Sequence, residues 1–364
     1  MNRRRLAPLL FALFAGVGAA SCSSDSGSGA QPPAADTSAS ASTASSTEAA
    51  DTTAVDATVS TEAPVTTDAP PETAAPTTAS AEETTTTTVE LGPPFDVDIA
   101  EETFVDETRA ADGAVDSTDS PSRTLATRIK YPLAPGPFPL IVFAHGLTGS
   151  PDNFDEMTTQ WAAAGYVVAA PAFPLTNGTV PDAYKNLADI ANQPGDVSFV
   201  IDNVLALAAD DQSPLYGRVD IETIGLSGHS FGAGTTFGTV YGTCCQDPRI
   251  DAAIILAGFN PFGDNMDFTR ELPILIVHGD NDPVLNVALD DAIYPLLAGP
   301  KWYVTFLGAD HSLGFDNPAA QQHALLEQIT SEFWNGTLGA DATQLDALET
   351  DAVVDGVATL QHAE

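Results

Sequence analysis

From residue 138 onward the sequence repeats one pattern, a short apolar run followed by a stretch with helical spacing, and few architectures accept it. FPLIVFAHG (138–146), YVVAAPAFP (166–174), ETIGLSG (222–228), DAAIILAG (251–258), PILIVHGD (273–280) and WYVTFLGA (302–309) read as strands. Their near-continuous apolar character is that of strands covered on both faces. Between them DNFDEMTTQWAAAG, ending at Gly165, DVSFVIDNVLALAAD (196–210), FGAGTTFGTVYG (231–242) and AAQQHALLEQITSEFW (319–334) read as helices. RTLATRIKYPL (123–133) alternates and reads as an antiparallel lead-in strand. Strand and helix repeated in this way predict an α/β fold, a mostly parallel central sheet with helices on both faces. In such sheets ligands sit beyond the carboxyl ends of the strands.

The rest of the chain is of another kind. Residues 1–21 carry Arg3, Arg4 and Arg5 ahead of the apolar LAPLLFALFAGVGAA, the pattern of an export signal. AASC then resembles the lipobox of bacterial lipoproteins, with Ala19 where a larger aliphatic residue is usual, and this predicts lipidation of Cys22. Cleavage after a small residue without lipidation is the alternative. Residues 22–94 are mainly Ser, Thr, Ala, Pro and acid, with no aromatic residue, Lys or Arg, and are expected to form a disordered tether. The folded domain is expected at 95–340, followed by a segment at 341–364 with weak helical spacing and no assigned role.

The formal net charge of −38 argues against nucleic-acid binding, because phosphate backbones are repelled. Membrane contact is expected only through a lipid anchor at Cys22. Cys244 and Cys245 are adjacent, and the sequence leaves open a disulfide between them or two buried thiols. No His-Glu-x-x-His, Cys-x-x-Cys or EF-hand pattern is present, so no metal site is expected.

Chemistry concentrates after the strands. TIGLSGHSFGAG (223–234) contains Gly-His-Ser-Phe-Gly between a strand and a helix. Gly228 and Gly232 leave room for a sharp turn that projects the Ser230 hydroxyl, which makes Ser230 the candidate nucleophile. A serine hydroxyl needs a base and oxyanion donors to react at neutral pH. Of the six histidines, His311 in GADHSLGF stands later in the chain, directly after a strand, and is the candidate base. The orienting acid comes from HGDNDPV: Asp282, stiffened by Pro283, is preferred and Asp280 stays open. Amides of Phe231, after the nucleophile, and Leu147, in FAHGLTGS, are the candidate oxyanion donors. FNPFGDNMDFTREL (259–272) is too short to fold as a separate domain over the site, which predicts an open site, with Phe259 and Phe262 lining an apolar groove beside it.

HGLTGS, GHSFGAG, HGDNDPV and GADHSLGF, in this order, resemble the α/β-hydrolases, and among them the cutinase-like polyester hydrolases. They are also similar to platelet-activating-factor acetylhydrolase, chlorophyllase-type and dienelactone hydrolase sequences. In dienelactone hydrolase the nucleophile is cysteine, so Ser230 places the chain nearer the esterases. The resemblance implies ester hydrolysis by Ser230, His311 and Asp282 through an acyl-enzyme, without a cofactor, in a monomer acting on a polymeric or lipidic ester. Two other readings remain at this stage: a non-catalytic surface lipoprotein that binds through this fold, and a serine peptidase.

Overall fold

A computed structural model describes residues 93–113, 119–339 and 341–364. The expected export signal, Cys22 and the tether up to residue 92 lie outside the described residues. The strands are β1 (Val97–Asp106), β2 (Arg123–Pro132), β3 (Phe138–Ala144), β4 (Val167–Ala172), β5 (Val219–His229), β6 (Ile250–Leu256), β7 (Ile274–Gly279), β8 (Lys301–Phe306) and β9 (Ala358–Ala363). The helices that cover them are α1 (Asp155–Ala164), α2 (Gln193–Ala209), α3 (Phe231–Tyr241), α4 (Ala288–Ile293), α5 (Gln321–Thr337) and α6 (Thr343–Asp351).

The nine strands of the described residues join one sheet in the order β1-β2-β4-β3-β5-β6-β7-β8-β9. The stretch from β4 to β8 is parallel throughout. The lead-in strand β2 runs antiparallel between β1 and β4, and β9 closes the far edge antiparallel to β8. The chain is therefore an α/β-hydrolase-type sheet, as the repeating pattern requires.

Successive side chains of a strand face opposite layers. In β3, Leu140, Val142 and Ala144 pack toward Val197, Val200, Ile201 and Val204 of α2 and Phe237 of α3. Ile141 and Phe143 pack toward Trp161 of α1 and Ile329, Phe333 and Trp334 of α5. Both faces being apolar and buried is why these strands lack a polar/apolar alternation in sequence.

Two polar anchors fix the helices that approach the site. Arg123, fully buried on β2, donates to both carboxylate oxygens of Asp189 and of Asp196, tying the turn at 187–191 and the start of α2 to the sheet. Lys130, on the same strand, donates to the Asp155 carboxylate at 2.7 Å and to Thr158 and Thr159 at 3.0 and 2.7 Å, which holds the first turns of α1.

One expectation is corrected and one open alternative is decided. The domain does not end at residue 340: α6 packs Leu348 and Ala352 into the core, and β9 pairs with β8 from Lys301↔Ala363 to Phe306↔Ala358. An edge strand has one neighbour, so its sequence, ATLQHA, needs only part of an apolar face and carries little pattern. The alternative of two buried thiols also fails, because Cys244 is exposed, Cys245 is half-buried, and the two are joined as a vicinal disulfide.

Candidate active site

The turn from β5 into α3 is built by its glycines. A Cβ on Gly228 would stand 2.2 Å from the carbonyl oxygen of Gly232, and one on Gly232 would stand 2.0 Å from that of Ala144. No side chain fits at either position. Ser230, at the apex, has φ 56° and ψ −115°, a strained conformation for a residue with a Cβ. Its own amide is fixed by a 2.9 Å bond to the Leu256 carbonyl of β6.

His311 reaches Ser230 from the loop after β8. Its Nε2 lies 2.8 Å from the Ser230 hydroxyl and its Nδ1 lies 2.6 Å from Asp282 Oδ2. A carboxylate only accepts, so Nδ1 carries the proton and Nε2 accepts from the hydroxyl. Asp282 comes from the loop after β7. Its Oδ1 takes the amides of Val284 and Leu285 at 2.7 and 2.9 Å, an arrangement that fixes the carboxylate before any imidazole arrives. Asp280 points away: it is exposed and accepts from the Gly308 amide at 2.6 Å. Of the two acids open in the sequence, the structure brings Asp282 to His311.

Two further histidines act on this group, and neither was singled out from the sequence. His278, fully buried at the end of β7, places Nδ1 2.7 Å from Asp290 and Nε2 3.2 Å from Asp282 and 3.1 Å from the Leu285 carbonyl. With acceptors at both nitrogens the ring is held as imidazolium. Burial opposes that charge, but the bonds to Asp282 and Asp290 outweigh it and raise its pKa to about 10. Burial would likewise raise Asp282, yet the bonds from His278 and His311 hold its carboxyl well below the usual carboxylate range. His229 directs its ring away from Ser230, as adjacency requires, and its Nε2–H donates to the His311 carbonyl at 2.7 Å. Burial, reinforced by His311, lowers its pKa to about 3, so it is a neutral donor.

The loop after β3 completes the surroundings. His145 accepts from the Phe173 amide at 3.1 Å through Nε2 and donates from Nδ1 to Gly146 at 2.8 Å, while burial lowers its pKa to about 4. Gly146 lies against the nucleophile turn, since a Cβ there would be 3.2 Å from Ser230 Cβ. This brings Leu147 to the same cleft. Phe231 opens α3, and the first amides of a helix have no intrahelical acceptor.

The cleft above Ser230 has a volume of about 200 Å³ and is lined by Leu147, Thr148, Asn153, Phe154, His229 and Phe315, among others. Residues 257–273 contribute no helix over it. Phe259 and Phe262 do not line it, which corrects the sequence expectation. Phe259 packs with Phe231, Ile190 and Leu285, and Phe262 fills the space left by the absent side chain of Gly238 on α3. The aromatic wall is supplied instead by Phe154 and Phe315, whose rings lie 4.6 Å apart. Phe154 immediately precedes α1 and Phe315 follows His311, so only folding joins them.

This sheet, with a serine at a strained strand–helix turn and an imidazole and carboxylate behind it, defines a hydrolase of the α/β-hydrolase class. The family model for PETases, described as PET hydrolase-like, matches residues 106–326, more than half of the chain. The chain belongs to this PET hydrolase-like family, a group of ester hydrolases within the α/β-hydrolases. No individually curated protein matches it.

Proposed function

We propose that the protein is a serine carboxylester hydrolase in which Ser230 is the nucleophile, His311 the general base and Asp282 its partner. The observation that carries this reading is the unbroken hydrogen-bond line Asp282–His311–Ser230, at 2.6 and 2.8 Å. Ser230 attacks the ester carbonyl while His311 Nε2 takes its proton. Asp282, held anionic, stabilises the imidazolium. The tetrahedral oxyanion is received by the Leu147 and Phe231 amides. His311 then protonates the leaving alcohol, and water repeats the sequence on the acyl-enzyme. None of these steps calls for a cofactor.

The open cleft favours bulky, polymeric or lipidic esters, because only the reacting unit has to enter it while the remainder lies across the surface. Export and a lipid anchor at Cys22 are read from the sequence of residues 1–22. They would place the enzyme at the cell surface or outside the cell.

A fluorophosphonate probe tests the chemistry. Wild type should be labelled and Ser230→Ala should not. A folded wild type that stays unlabelled favours a binding protein instead, and a variant labelled as well as wild type removes Ser230 as the nucleophile. Hydrolysis of para-nitrophenyl butyrate against a peptide anilide separates esterase from peptidase. Release of soluble products from polyester film tests the polymer reading.

A further inference from the structure

The structure assigns a second site, for a divalent transition-metal ion of the zinc type, to Glu156, His323 and Glu327. His323 and Glu327 stand one turn apart on α5 and face the same side. Glu156 projects toward them from the first turn of α1. The His323 side chain is only 7% exposed. Its Nδ1 lies 3.1 Å from the Gly314 carbonyl oxygen, which can only accept, so Nδ1 carries the proton. The Nε2 atom faces the two carboxylates at ion-pair distance, yet among the described residues this buried nitrogen makes no hydrogen bond, so a metal ion there takes the place of a proton on Nε2. A histidine whose outer N–H is fixed by a backbone carbonyl is the arrangement that orients a metal ligand.

The spacing suits such an ion. Nε2 is 3.3 Å from Glu327 Oε1 and 3.6 Å from Glu156 Oε2, and the three ligand atoms lie within 4.8 Å of one another. Bonds of about 2.0–2.1 Å around a tetrahedral ion put neighbouring ligands about 3.3–3.4 Å apart. An imidazole with two carboxylates suits zinc and its neighbours better than calcium or magnesium, which prefer oxygen alone. Beside the cluster is a cavity of about 20 Å³, bordered by Asn153, Phe154 and Phe315, with room for one water as a fourth ligand. The Glu156 side chain is 64% exposed and leaves a route in from solvent.

The position gives the ion a consequence. Asn153, Phe154 and Phe315 border both this cavity and the cleft above Ser230. A bound ion would therefore clamp α1 to α5 across the loop that carries His311.

Isothermal titration of the untagged, chelator-dialysed full chain with Zn2+ tests the assignment, with Ca2+ as comparison and Co2+ absorption reporting the geometry. Wild type should bind one Zn2+ far more tightly than Ca2+, and Co2+ should give the intense visible bands of a tetrahedral site. Glu156→Gln, at an exposed position that leaves the core intact, should weaken Zn2+ at least about 10-fold, and His323→Gln should remove the Co2+ bands. Zn2+ affinity unchanged in Glu156→Gln, equal binding of Ca2+, or no Zn2+ uptake by folded wild type would each overturn it.

Discussion

The Nε2–H of His229 donates to the carbonyl of His311 across 2.7 Å, so the residue preceding the nucleophile fixes the backbone of the residue that serves it as base. The His229 ring also sits 5.5 Å from Phe154 and 4.9 Å from Phe315. His229→Phe keeps an aromatic ring in that space and removes the bond. We expect kcat to fall by about 3- to 10-fold with KM nearly unchanged, the effect of one net hydrogen bond. Steady-state kinetics on a soluble ester measures the split.

Asp282 and Asp280 stand two residues apart on one loop and do different things. Asp282→Asn should lower kcat by about ten-thousand-fold, because an amide facing Nδ1 no longer holds the imidazole in its working tautomer. Asp280→Asn, whose side chain accepts from the Gly308 amide and does not reach His311, should stay within a few-fold of wild type. Comparable losses in the two variants would contradict the geometry.

His278 makes stability depend on pH at the alkaline side. Its folded pKa of about 10 exceeds the ordinary value of 6.5, so folding binds its proton more tightly. That contribution is complete below about pH 6.5 and disappears as the pH rises through about 10. Denaturant melts at pH 6, 8 and 10 should show wild type weakening steadily, and His278→Gln starting less stable but weakening less. Parallel pH profiles would show that the ring carries no buried charge.

Gly232 is a steric requirement of the nucleophile turn. Gly232→Ala would place a methyl group 2.0 Å from the Ala144 carbonyl oxygen, backbone against backbone, with no flexible neighbour to yield. We expect a loss of more than about 3 kcal/mol, beyond ordinary overpacking. Soluble yield and thermal melting would register it. Ser230→Ala at the same turn should fold normally.

Features fixed by neighbours in the chain were legible. The parallel sheet followed from the apolar runs, and the nucleophile turn from two glycines whose spacing permits a single local geometry. His311 and Asp282 could be proposed by their order after strands, with Asp282 preferred for Pro283 and Asp280 left open, because both stand in the same loop and only its fold aims one of them at His311. The groove was misassigned to Phe259 and Phe262 because an aromatic residue near a site has the same letter whether it lines the cleft or fills the space beside a helical glycine. Edge strand β9 was missed because it pairs on one side only.

By itself the sequence determined the layers, the order of the strands' chemistry and the serine's setting, since these depend on periodicity and on sterics within a few residues. Tertiary structure alone decided what His229, His278 and His323 do. Each faces oxygens that come wholly or partly from another segment: the His311 carbonyl for the first, Asp282 and Asp290 for the second, and for the third Glu156 of α1 beside Glu327 of its own helix. A histidine's proton count and direction are properties of those partners, and partners become definite only when the sheet has brought its loops together.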